Sequence, residues 1–322
     1  MRVLCLAGGV GGAKLADGLQ QVLAPGELTV VVNTGDDLER HGLTICPDLD
    51  TVLYTLAGIA DPIHGWGIAG ESWSVISQLA RLGEETWFRL GDRDLATHIF
   101  RSKRLREGRS PTDVAAALAS ALGVPSRVLP MADDPVRTRV RTAEGWLDFQ
   151  DYFVRLRQAP EVLEVAFDGI ETARVTDPVR DAFASAEVIV VAPSNPMVSI
   201  GPILAVPGMA AEIAAARARG VPAIGVSGII GGKALRGPAD KMMTSLGEEP
   251  SALGVARRYA AIGLLDAFVI DRADEALAGQ VRDLGIEAIV TETVMVDAGS
   301  RAALAREVLA AAETAPHQGA TR

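Results

Sequence analysis

Apolar positions along the chain follow two rhythms. Short unbroken runs rich in Val and Ile occur at Arg2–Ala7, Leu28–Val32, Val188–Ala192, Ala223–Val226, Ala267–Ile270 and Ala288–Val290. Runs of this kind predict strands covered on both faces. Helical spacing fills the gaps at Ala13–Leu23, Pro207–Arg219, Ser251–Ala261, Ala273–Leu284 and Arg301–Ala312. Strands and helices in alternation predict an α/β chain with a Rossmann-like, doubly wound, mostly parallel sheet.

The middle of the chain breaks this rhythm. Trp66, Trp73, Trp87 and Trp146 all fall there. Helical patterns at Leu95–Arg106 and Thr112–Leu122 come first. Alternating stretches follow at Val136–Thr142 and Gly145–Phe149, about Ala143-Glu144, and predict a hairpin. The expected organisation is a Rossmann-like core of residues 1–60 and 171–314. A helical and hairpin insertion, a substrate region or lid, occupies 61–170, and a frayed tail 315–322.

Composition narrows the function. Of 322 residues, 48% are hydrophobic and 22% charged, which supports a full core and excludes bulk disorder. A net charge of −10 argues against nucleic acid, which needs a broad basic face. One nucleotide in a local basic pocket remains compatible. Cys5 and Cys46 lack metal-ligand spacing and fit a reduced cytoplasm. The N-terminus has no signal-peptide pattern, and no apolar run reaches about 18 residues. A cytoplasmic protein without a membrane span is expected.

Polar residues gather after the predicted strands, where an open parallel sheet places its ligand crevice. The first strand runs into Gly8-Gly9-Val10-Gly11-Gly12-Ala13-Lys14. A glycine-rich turn opening a helix offers bare N–H groups and a favourable dipole to a phosphate. It is neither a Walker A loop nor the dinucleotide fingerprint. The plainer reading is a tight turn that needs glycines, with Lys14 on phosphate or simply solvated. Asn33-Thr34-Gly35-Asp36-Asp37 follows the second strand, as a site loop or an Asx-turn. Asp48 is expected just outside the next helix and Asp50 as its N-cap. Clustered carboxylates beside a phosphate hold a divalent cation or handle hydroxyl protons.

Further along, Trp87-Phe88-Arg89-Leu90 precedes Gly91-Asp92-Arg93-Asp94. That segment suits a planar ring, or a helix start capped by Asp92 or Asp94. Lys103, Arg104, Arg106 and Arg109 read as a solvated face. Ser194 and Asn195 follow the strand at Val188–Ala192. Gly228-Ile229-Ile230-Gly231-Gly232-Lys233, with Arg236, Asp240 and Lys241 nearby, is a second candidate anion loop. His41, His64 and His98 are scattered and predict no metal site.

In this order, the glycine loop, Asn33–Asp37, Cys46-Pro47-Asp48-Leu49-Asp50-Thr51, Gly91–His98, Ala192–Pro196 and Ser199-Ile200-Gly201-Pro202-Ile203 resemble a known family. They are similar to the 2-phospho-L-lactate transferases of coenzyme F-420 biosynthesis, and above all to the actinobacterial-type phosphoenolpyruvyl transferases. The resemblance covers nearly the whole chain. It implies attack by the ribityl hydroxyl of the deazaflavin Fo on a guanosine diphospho donor carrying lactate or enolpyruvate. GMP leaves, and F-420-0 or its dehydro form results. It also implies magnesium, a Rossmann-like fold and a homodimer.

The residue patterns and the resemblance together give these expected site residues. Asp36, Asp37 and Asp48 form the catalytic pool, with Asp36, Asp48 and Asp50 as metal ligands. Gly9, Gly11, Gly12, Lys14, Asn33, Ser194, Asn195, Gly231 and Lys233 are expected at the nucleotide and its phosphates. Asp48, Arg89 and Trp87 are expected at Fo. The alternative is a non-enzymatic regulator that binds nucleotide sugars, from a related wider family. A Rossmann oxidoreductase is weakened by the imperfect fingerprint and the lack of a Tyr/Lys or His catalytic pair.

Overall fold

The computed structural model describes residues 1–315. Seven parallel strands build its central sheet: β1 (Val3–Ala7), β2 (Leu28–Val32), β3 (Arg127–Pro130), β4 (Val188–Val191), β5 (Ala223–Val226), β6 (Ala267–Asp271) and β7 (Glu287–Thr291). Their order across the sheet is β7-β6-β5-β4-β1-β2-β3. Register aligns Val3 with Leu28 and Val188, and Leu6 with Val31 and Val191.

Alternation along each strand divides the core. Leu4, Leu6, Val31, Ile189 and Val191 face one buried cluster, while Val3, Cys5, Ala7, Val30, Val32 and Val190 face another. Both faces are thus apolar and both are covered by helices, which explains the unbroken Val/Ile runs. Within the described residues no helix is long and apolar enough to cross a membrane.

Five helices matter for the site: α1 (Gly9–Val22), α2 (Pro47–Leu56), α3 (Ser74–Arg81), α4 (Asp92–Arg106) and α5 (Pro111–Ala121). Helix α1 begins at Gly9, so the glycine run is its first turn rather than a loop before it. The last helix, Ala298–Thr314, packs along α1, and Asp17 pairs with Arg301 between them at 3.0 Å.

Several expectations change. The stretch 61–170 is not wholly an insertion, because Arg127–Pro130 pairs with β2 as the edge of the main sheet. The expected hairpin is present at Arg137–Thr142 and Gly145–Asp148, and Glu164–Asp168 adds a third antiparallel strand on its other side. The expected helix 273–284 is a 3₁₀ segment, Arg272–Leu277, followed by a short α-helix, Ala278–Arg282. Asp271 tightens its start by accepting from Ala273 N–H while also holding Thr293. Of the expected tail, Ala315 is buried and 316–322 lie outside the described residues.

The α1 contact with the last helix has no spare room. A Cβ on Gly18 would overlap the Arg301 carbonyl. Gly18→Ala is therefore expected to destabilise by about 1–3 kcal/mol through overpacking, despite alanine's ~1 kcal/mol advantage in helix propensity. Urea unfolding measures this; an unchanged midpoint would show that the two helices can part freely.

Candidate active site

From β1 the chain winds to β2 on one side, while β4 and its successors wind away on the other. The sheet's switch point lies between β1 and β4, the usual ligand crevice of an open parallel sheet. Gly8 ends β1 there and caps α1. Ser194 follows β4; its hydroxyl accepts from Gly8 N–H at 3.1 Å and donates to Gly8 C=O at 2.7 Å. A Cβ on Gly11 would overlap the Pro193 carbonyl, and one on Gly12 would lie 2.6 Å from Ser194 Oγ. The glycines let the segment after β4 press directly on the first turn of α1.

Asn33, fully buried at the end of β2, organises the next layer. Its Oδ1 accepts from Gly35 N–H at 2.8 Å, which is the Asx-turn expected here. Its Nδ2 donates to Asp48 Oδ2 at 2.9 Å and to the Val198 carbonyl at 3.2 Å. Helix α2 starts one residue after Cys46, with Pro47 at its first position. Asp48 and Asp50 therefore lie inside the first turn, not outside it and at the cap as expected. The Gly9 amide beside Asp48 holds its carboxyl down somewhat, so this carboxylate sits against the N-terminus of α1. A Cβ on Gly8 would come within 2.6 Å of Asp48 Oδ2.

Three carboxylates converge in this dry corner. Burial pushes Asp48 up to about 6. Burial, then the neighbouring Asp48 and Asp37 charges, raise Asp36 well above the carboxylate range. Burial raises Asp37 to about 7, held back by Arg137 and a bond from Cys46. Asp36 Oδ1 and Asp37 Oδ1 are buried with no hydrogen-bond partner. These are buried hard oxygens without a donor, but the three carboxylates do not bring their oxygens within 4.8 Å of one another as Asp50, Asp94 and His98 do.

Asp50 belongs to a different group. Arg101 grips its carboxylate with both terminal nitrogens, one of them at 3.0 Å, and His98 Nδ1 lies 3.6 Å away. Tyr54 O–H donates to Asp94 at 2.6 Å, and Asp94 faces His98 Nε2 at 3.3 Å. Asp50, Asp94 and His98 each bring a donor atom within 4.8 Å of the others, a group that fits a metal ion. A cation there would have to draw Asp50 from the buried Arg101 guanidinium. The expected ligand set of Asp36, Asp48 and Asp50 is thus divided between two neighbouring clusters. The partners Tyr54, Asp94, His98 and Arg101 were not anticipated as a unit. Their signal is spacing: Asp50 and Tyr54 stand four apart on α2, and Asp94, His98 and Arg101 stand four and three apart on α4.

The other expected residues scatter around this centre. Lys14 Nζ donates to the Met295 carbonyl at 2.8 Å and is half-buried. Asn195 Oδ1 accepts from Met197 and Val198 amides. Gly231 and Gly232 turn a small hairpin with positive φ, and Gly231 N–H already donates to the Asp274 carboxylate. Lys233 is exposed, 3.7 Å from Asp240. The second glycine loop therefore has its turn satisfied by an acid rather than open to an anion. Trp87 packs edge-on to Phe88 with Arg40 over its face. The Arg89 guanidinium instead lies 4.0 Å over the centre of Trp73. Gly91, not Asp92 or Asp94, caps α4; the Asp92 carboxylate accepts from Ser74 and Val75 at the start of α3.

Fold and site together define an α/β enzyme of the doubly wound class, with carboxylates gathered at the sheet's switch point. The family described as 2-phospho-L-lactate transferase CofD matches residues 3–312. A phosphoenolpyruvate transferase of Kitasatospora aureofaciens is 43% identical over 323 residues, covering 98% of this chain and 99% of that protein. A 2-phospho-L-lactate transferase of Methanosarcina mazei is 41% identical over 309 residues, covering 96% of this chain and 100% of that protein. A solved structure of a UPF0052-family protein from Bacillus halodurans shares the fold, with TM-score 0.60 at 14% identity over 96% of this chain and 98% of that one. The chain belongs to the CofD family of 2-phospho-L-lactate transferases.

The raised carboxylates set a pH dependence. Asp37 and Asp48 titrate near 7 and 6 in the fold against an ordinary 3.8. Over that window the folded state binds more protons than the unfolded chain. The share of stability these two groups contribute therefore falls as pH rises from about 4 to 7. Asp37→Asn is expected to flatten this slope in urea titrations with chelator present. Equal slopes in the wild type and the variant would refute the assignment.

Proposed function

We propose that this enzyme moves a phospholactyl or phosphoenolpyruvyl group from a guanosine diphospho donor to the ribityl hydroxyl of Fo. The hydroxyl oxygen bonds to the phosphorus carrying the three-carbon acid, the bond from that phosphorus to the GMP oxygen breaks, and the hydroxyl proton passes to a carboxylate. F-420-0 or its dehydro form is the product. Magnesium, small-molecule substrates, a cytoplasmic setting and a homodimer belong to the same proposal.

The observation that carries this reading is the position of Asp48. It is buried, bonded by Asn33 Nδ2, beside the Gly9 amide, and adjacent to Asp36, whose Oδ1 has no partner. Phosphoryl transfer asks mainly for positioning and charge neutralisation. The first turn of α1 provides N–H groups and a helix dipole for the donor's phosphates. Asp36 and Asp48, with Asp37 beside them, would hold magnesium, which supplies charge neutralisation at the transferred phosphoryl group. With its ordinary range shifted to about 6, Asp48 is mostly ionised at neutral pH and still basic enough to take the hydroxyl proton.

The Arg89–Trp73 stack offers a flat, cationic surface for the Fo ring. Trp87 carries Arg40 over its face in the same way and stays a second flat, cationic surface in this reading. A nucleotide-sugar regulator would have no need for buried acids around an attacking hydroxyl.

Asp48→Asn is expected to reduce transfer by about 10²–10⁴-fold, the usual worth of a positioned general base, with an unchanged circular dichroism spectrum. Product mass after incubation with Fo, magnesium and each donor measures it. Near-normal turnover would remove Asp48 from the chemistry. Arg89→Ala is expected to raise KM for Fo more than it lowers kcat, and titration of Fo fluorescence reads the binding loss directly. Unaltered Fo affinity would exclude the stacked surface.

A further inference from the structure

Arg236 follows the small hairpin Ile229–Ala234, on the far side of the switch point from α2. Its guanidinium nevertheless reaches the 61–67 loop. One nitrogen donates to the His64 carbonyl at 2.6 Å and another to the Ile63 carbonyl at 3.2 Å. The meeting point lies over the glycine turn. A Cβ on Gly65 would stand 3.1 Å from Val10 Cγ1 and 3.3 Å from the same Arg236 nitrogen. Val10 is in the first turn of α1, between Gly9 and Gly11.

The loop does not need this arginine for its own closure. Asp61 N–H donates to Gly67 C=O at 3.0 Å, Gly65 N–H donates to Asp61 C=O at 2.9 Å, and Asp61 Oδ1 accepts from Ile63 and His64 N–H. Positive charge also accumulates around the start of α1. Burial, then Arg301 and Arg236, depress the Lys14 ammonium. Arg301 is paired with Asp17 and Lys14 is tied to the Met295 carbonyl. Arg236 is exposed, its guanidinium bonds go to the neutral carbonyls of His64 and Ile63, and it is the cation of the three best placed to exchange them. A guanidinium binds an oxyanion by paired, charge-assisted bonds stronger than those to a neutral carbonyl.

We propose that Arg236 binds the diphosphate of the donor, and that its bonds to Ile63 and His64 are a resting latch over the glycine turn, exchanged for phosphate oxygens when a nucleoside diphosphate enters. The proposal rests on the donor assignment above and adds a binding residue from the opposite half of the sheet. It also makes the 61–67 loop responsive to the donor.

GDP with magnesium is the probe, titrated calorimetrically into the full-length wild type, Arg236→Ala and Arg236→Lys. Loss of a charge-assisted pair is expected to weaken GDP by about ten- to a hundredfold in the alanine variant. Lysine is expected to restore part of it, and Fo affinity to stay within about twofold. Hydrogen exchange of the 61–67 amides supplies the second readout: GDP accelerates it in the wild type, whereas Arg236→Ala exchanges fast already and does not respond. Wild-type binding of GDP with an unchanged affinity in Arg236→Ala overturns this inference alone. A wild type that binds no GDP overturns the donor assignment and the inference together. Exchange unaffected by GDP in a wild type that binds it overturns the latch.

Discussion

Several acids buried in one corner repel one another and lose their hydration, and the fold must offset that cost. Asp36, Asp37 and Asp48 meet where β1, β2 and α2 converge, with two of their oxygens unpartnered. What holds them is a set of partial charges: the Asn33 amide, the Gly9 N–H and the positive end of α1. Asp37 also feels the full charges of Arg137 and Arg101, which Asp36 and Asp48 lack as ion-pair partners. The cations near the start of α1, Lys14, Arg236 and Arg301, bond elsewhere, so Asp36 and Asp48 keep their charge cost.

The glycine run serves this constraint in a way a phosphate cradle alone would not require. Gly8 admits the Asp48 carboxylate, and Gly11 and Gly12 admit the segment carrying Pro193 and Ser194. The first turn of α1 is where both halves of the doubly wound sheet touch. Side chains there would separate β1 from the loop after β4 and dissolve the acid cluster as well. Packing and chemistry therefore make the same demand of these positions.

A second polar group ties the middle of the chain to the core. Arg101, 2% exposed, grips Asp50 and Tyr54 holds Asp94 across the helix pair, while His98 faces Asp94 along α4 itself. Buried ion pairs add little net stability but penalise loss of one partner. Here the pairing ties α4 to α2. The edge strand β3 reinforces that attachment by drawing part of the same region into the main sheet.

Much of this was legible in the sequence. Unbroken Val and Ile runs determine a sheet buried on both faces, and alternation with helical spacing determines its parallel winding. Strand ends then point to Gly8–Gly12, Asn33–Asp37 and Ser194, because a parallel sheet gathers its loops at one edge. Local pattern also announces the hairpin at 137–148. Tertiary structure alone decided which acids share a charge environment: Asp48 and Asp50 are two residues apart in sequence, yet one faces Asn33 and the other Arg101. It alone decided that Lys14 turns to Met295, that Asp274 occupies the Gly231 amide and that Trp73, not Trp87, lies under Arg89. The reason is range. Periodicity records which face of an element is dry, a property of neighbours in the chain. Hydrogen bonds and charge pairs are made between residues tens to hundreds of positions apart, and their partners exist only once the sheet has brought them together.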